Sequence, residues 1–122
     1  MATIDLTTTS FSQAVEDNGI LIVDFWAAWC GPCRAFAPVF QAASEAHPDI
    51  TFGKVDTEAE QQLASAAGIS SIPTLMVFRD RILVFSQPGA LSGPQLEQVI
   101  TGVKALDMDE IRTKMAVAAA KA

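Results

Sequence analysis

The stretch Leu21-Ile22-Val23-Asp24-Phe25-Trp26-Ala27-Ala28-Trp29-Cys30-Gly31-Pro32-Cys33 decides the reading of this chain. Leu21 to Trp26 is a nearly continuous apolar run, bounded by Gly19 on one side and a cysteine turn on the other, which is the pattern of a central strand covered on both faces. The strand feeds a Cys-x-x-Cys turn that opens a helix. The first thiol then meets unpaired amide N–H groups and the positive end of the helix dipole, which favour a thiolate. A thiolate is the attacking species in disulfide exchange. Cys30 and Cys33 are the only two cysteines in the sequence.

Composition frames that chemistry. A chain of 122 residues with 50% hydrophobic content has the size of one compact domain with a sizeable core. A net charge of -6, with no Lys/Arg cluster, opposes phosphate backbones, so nucleic acid is not an expected partner. Met1-Ala2-Thr3-Ile4-Asp5 has no basic region and no long apolar segment follows it, so neither export nor membrane insertion is expected and the cytoplasm is the expected location. In a reducing compartment an isolated cysteine pair is catalytic or metal-binding rather than a permanent crosslink. A structural zinc needs about four ligands, and two cysteines with the single histidine, His47, fall short. No dinucleotide or flavin fingerprint is present, so no bound cofactor is expected.

Outward from the cysteines, Ser10 and Gln13 read as a capping box for a short helix carrying Phe11 and Val15 and stopping at Asn18-Gly19. After Cys33, the spacing of Phe36, Val39, Phe40 and Ala43 predicts a helix to about His47-Pro48, kinked by Pro38. Ile50 to Val55 predicts a strand, and Asp56 or Thr57 a cap for a helix through Ala67 that Gly68 ends. Thr74 to Phe78 and Ile82 to Phe85 predict an antiparallel hairpin; Arg79-Asp80-Arg81 lacks the usual glycine, so a different turn type is expected there. Ser92 to Gln95 is a second capping box, opening a helix with Leu96, Val99, Ile100 and Val103 on one face. Asp107 and Glu110 cap a further helix with Met108, Ile111 and Met115, ending in the featureless Ala116 to Ala122. The fold class is α/β, with helices on both sides of a sheet.

The order of these elements, with Trp29 to Cys33 after the first apolar strand and Ile72-Pro73-Thr74 before the hairpin, resembles the thioredoxin family. The resemblance covers roughly Phe11 to Val103, through Val23-Asp24-Phe25-Trp26, the pentapeptide, Ile72-Pro73-Thr74 and Gly89-Ala90-Leu91, and leaves a C-terminal extension of about residues 104–122. It implies the thioredoxin fold, a central mixed β-sheet flanked by helices on both faces. It also implies a protein-disulfide reductase, recycled by an NADPH-dependent thioredoxin reductase, with disulfide-bearing client proteins as partners and the chain a monomer.

Position assigns the roles. Cys30 precedes the helix and is the expected nucleophile, and Cys33, one turn inside, the resolving thiol; Gly31 permits the tight turn and Pro32 suits the first helical turn. Asp24 is anomalous, because a carboxylate within an apolar run is costly unless paired, hydrated or protonated. The resemblance implies that it lies behind the cysteines and relays a proton with Cys33. It further implies a cis bond before Pro73 and a flat apolar collar of Trp29, Ile72, Pro73, Gly89 and Ala90 around Cys30, with the Ile72 backbone pairing with an extended client. Three positions depart from the common bacterial pattern: Phe52 stands where many members carry a lysine near the aspartate, Ala28 replaces an acidic residue, and Ser71 a glycine. An assembly module with incidental redox chemistry is the competing class. Pro32, where oxidases and isomerases place histidine, argues against those relatives.

Overall fold

The computed structural model describes residues 2–121. Its elements run β1 (Thr3–Asp5), α1 (Phe11–Asp17), β2 (Ile20–Trp26), α2 (Gly31–Ala46), β3 (Thr51–Asp56), α3 (Gln61–Ala66), β4 (Thr74–Arg79), β5 (Ile82–Pro88), α4 (Gly93–Lys104) and α5 (Met108–Lys121). The strands build one mixed sheet of order β1-β3-β2-β4-β5, parallel between β1, β3 and β2 and antiparallel from β2 through β4 to β5. The fold is that of thioredoxin, as the resemblance implied. Met1, and Ala122 at the alanine-rich end, lie outside the described residues.

β2 occupies the middle of the sheet because its residues can be buried on both sides. Leu21, Ile22, Val23 and Phe25 are all 0% exposed. Side chains alternate along a strand, so Ile22 joins Phe52, Leu75 and Val77 beneath Phe36 and Phe40 of α2 and Leu96 and Ile100 of α4. Leu21, Val23 and Phe25 join Val55 and Met76 on the opposite face, against Phe11 of α1 and Leu63 of α3. Each such large side chain contributes about 2–3 kcal/mol of burial, so the two layers fix which residues of β2 look toward α2.

Local chemistry departs from the sequence expectation in four places. The Ser10 capping box does not form: Ser10 Oγ instead accepts from the Thr7 N–H at 2.9 Å and Gln13 donates to Asp17, because Ser10 itself has near-helical angles. α3 is shorter than predicted, since Asp56 Oδ1 accepts from the Glu58 and Ala59 N–H groups and caps a separate turn rather than the helix. Gly68 does end α3, at φ 71°, where the left-handed conformation costs glycine nothing. The hairpin turn is the ordinary one despite its lack of glycine: Arg79 pairs with Ile82, leaving Asp80 and Arg81 at φ 52° and 70°. Two consecutive positive φ values are the type I′ pattern, held here from outside by the Asp80 N–H on the Gly19 carbonyl at 2.9 Å. Finally β1, too short and too polar to show periodicity, has no sequence signal; it pairs with β3 where Gly53 leaves room for the Leu6 side chain.

Candidate active site

The turn after β2 delivers Cys30 to the cap position of α2. Its backbone is extended (φ -85°, ψ 114°), and its sulfur accepts from the Cys33 N–H at 3.2 Å. Pro32 lies in the first turn, where its missing N–H has no partner to lose. Cys33 is inside the helix, the two Cα atoms are 5.2 Å apart, and the sulfurs are joined as a disulfide. Burial does not distinguish the two, at 4% and 3% exposure. Position does: only the Cys30 sulfur occupies the site at which a helix N-terminus favours negative charge.

Asp24 is 0% exposed, and neither carboxylate oxygen has a hydrogen-bond partner. It alternates with Val23 and Phe25, so it shares the α2 face with Ile22. Burial raises its pKa to about 6, an effect opposed by the charge of Lys54. Lys54 stands opposite Asp24 in the parallel register of β2 and β3, and its Nζ lies 4.9 Å from the centre of the Trp26 ring. This corrects the reading of Phe52. The lysine near the aspartate is present, two residues further along β3, while Phe52 pairs with Ile22 in the core. Alternation puts Lys54 and Phe52 on one face alike, and it is the β2–β3 register that brings Lys54, not Phe52, to the level of Asp24.

The surroundings of Cys30 are part apolar and part polar. Its sulfur lies 3.7 Å from the Ile72 carbonyl oxygen, and the Ile72-Pro73 peptide is cis. Trp29 is 67% exposed and its indole N–H donates to Glu58 at 3.2 Å. Gly31, Pro32, Gly89 and Ala90 are exposed and Ile72 half-buried, whereas Pro73 is buried, its carbonyl accepting from the Gly89 N–H at 2.8 Å. Pro73 therefore underlies the collar rather than forming its surface. A groove of about 410 Å³ runs between Trp29, Glu58, Gln61, Ser71 and Ile72. Glu58 had no sequence signal, since its role depends on the turn after β3. His47 caps the end of α2 and pairs with Glu97 at 2.8 Å.

Comparison with known proteins agrees with this geometry. The thioredoxin family model matches residues 2–102. The chain is 54% identical over 121 residues to "Putative thioredoxin 2" of Streptomyces coelicolor, spanning 99% of this chain and 90% of that protein. It is 42% identical to the thioredoxin of Alicyclobacillus acidocaldarius, over 84% of this chain and 98% of the relative. Among solved structures, a mutant thioredoxin from Halobacterium salinarum superposes with a TM-score of 0.79 at 31% identity, covering 85% of this chain and 92% of that one.

Proposed function

The chain belongs to the thioredoxin family and is a thiol-disulfide oxidoreductase, and from that premise we propose that it reduces client protein disulfides with Cys30 as nucleophile, Cys33 as resolving thiol and Asp24 as proton acceptor. The Cys30 thiolate attacks one sulfur of a client disulfide; a Cys30–client bond forms and the second client sulfur leaves as a thiolate. Cys33 then attacks Cys30, the Cys30–Cys33 bond forms, and the client departs with both sulfurs reduced. Resolution requires Cys33 to lose its proton. Asp24, on the α2 face with a pKa raised to about 6 by burial, is ionised at neutral pH and able to take it.

Trp29, Gly31, Pro32, Ile72, Gly89 and Ala90, with Pro73 beneath, supply the client surface, and a shallow surface of this kind suits weak binding to varied partners. An NADPH-dependent thioredoxin reductase returns the two electrons, the chain works as a monomer in the cytoplasm, and residues 104–122 extend a single domain. No helix among the described residues is long and apolar enough to cross a membrane.

The observation that carries this reading is the Cys33 amide directed at the Cys30 sulfur. Insulin reduction tests it. Cys30→Ser should abolish turnover without trapping client, and Cys33→Ser should accumulate a mixed disulfide on Cys30. Turnover surviving in Cys30→Ser, or trapping through Cys33 alone, overturns the assignment.

A further inference from the structure

We propose that Arg34 and Glu58 form a two-signed rim that sets the orientation of a client segment across Cys30, selecting segments with an acidic residue on one flank of the attacked cysteine and a basic residue on the other. The inference rests on the disulfide-reductase reading above. Arg34 turns back over the active-site turn: its Nη1 donates to the Ala28 carbonyl at 2.9 Å, and its Nη2 lies 3.9 Å from where a β-carbon on Gly31 would stand. The guanidinium therefore lies beside Gly31, the neighbour of Cys30. Glu58 approaches from the other element, the turn after β3, and accepts from the Trp29 indole N–H at 3.2 Å. That turn is itself fixed by the Glu58 N–H on Asp56 at 2.9 Å.

Two opposite charges are thus each tied to one of two successive residues, Ala28 and Trp29, just before the nucleophile. Both side chains are exposed, and neither enters an ion pair among the described residues. Arg34 is the only cation in α2, on a chain of net charge -6. Its remaining guanidinium N–H groups form the fork that recognises a carboxylate, and Glu58 borders the groove that reaches Ile72. On this proposal a segment bonded through its cysteine to Cys30 passes both charges, so one order of flanking charges is attractive at both ends and the reverse is repulsive at both.

The test uses the full chain and disulfide-linked dimers of three short peptides: Glu-Gly-Cys-Gly-Lys, Lys-Gly-Cys-Gly-Glu and Ala-Gly-Cys-Gly-Ala. One charged order should be reduced with a kcat/KM about three- to tenfold above the other at low salt, and the gap should shrink as salt rises. The exchange Arg34→Glu with Glu58→Arg should invert the preference. Arg34→Gln and Glu58→Gln should each narrow it, which keeps the test available if the double exchange does not fold. Equal rates for the two orders, or a preference that survives the exchange, overturn the rim proposal while reduction of the alanine peptide continues. Failure to reduce the alanine peptide overturns the reductase reading and this proposal with it.

Discussion

A carboxyl group that is fully buried and lacks any hydrogen-bond partner weakens the fold that holds it, and at Asp24 the direction can be worked out. Its pKa rises from 3.8 to about 6 on folding. Between those values the unfolded chain has already released the proton that the native state retains, so stability falls as pH rises through the window from about 4 to 6 and then levels off. A shift of this size corresponds to roughly 3 kcal/mol at pH 7. Asp24→Asn should therefore be more stable at pH 7, by about 1 kcal/mol or more once the unpaired amide is set against it, and should lose the slope between pH 4 and 6 in urea unfolding. Turnover of the native protein should fall as Asp24 protonates near pH 6, and the same variant should slow resolution at pH 7 and lack that fall. A native-like turnover profile in Asp24→Asn would discard the proton-acceptor role. The neighbouring prediction concerns sulfur: in the reduced protein Cys30 should ionise below the ~8.5 of a free thiol, because it caps α2, and thiolate absorbance against pH reads this directly.

Among the secondary elements, residues that look equivalent in sequence diverge once the backbone is fixed. Ser10 and Ser92 both precede a glutamine by three residues, yet only Ser92 completes the reciprocal pair, accepting from the Gln95 N–H at 3.2 Å while the Gln95 side chain accepts from the Ser92 N–H at 2.9 Å. Ser92→Ala should then cost about 1 kcal/mol in thermal or urea unfolding and uncap α4, whereas Ser10→Ala should cost less, losing only bonds with Thr7. The β4–β5 turn makes a complementary case. Arg81 holds a positive φ of 70° without being glycine, so Arg81→Gly should stabilise the protein by about 1 kcal/mol. Long apolar periods made β2, α2, β4 and α4 legible, since burial dictates them; β2 also placed Asp24 correctly inside the core. Whatever depends on register or on a turn escaped: Lys54 opposite Asp24, Glu58 on Trp29, and Arg79, whose Nη1 meets the carbonyls of Val103, Lys104 and Leu106 at 2.6, 3.2 and 3.0 Å. None of these contacts follows from a period of 2 or 3.6 residues.

At the scale of the whole molecule the question is what α5 adds to a body whose family match ends at residue 102. The helix is attached at its start. Asp107 caps it, Met108 is 5% exposed, and Arg112 reaches Asp80 in the hairpin turn at 3.3 Å. Arg79 meanwhile gathers the carbonyls at the α4–α5 junction, joining the far end of β4 to the same corner. Beyond Arg112 the helix leaves the body: Thr113 to Lys121 are all exposed, Met115 at 50% and Val117 at 48%. Two truncations should therefore behave differently. Ending the chain at Lys114 removes, among the described residues, only exposed ones and should shift stability by less than about 0.5 kcal/mol. Ending it at Leu106 also loses the burial of Met108, about 2 kcal/mol, and frees the turn from Arg112. Neither truncation should change insulin reduction, because the groove beside Cys30 is lined by residues between Trp29 and Ile72 and none from α5. A loss of turnover in the Lys114 truncation, with unfolding unchanged, would show that the outer half of α5 acts on the reaction and not on the fold.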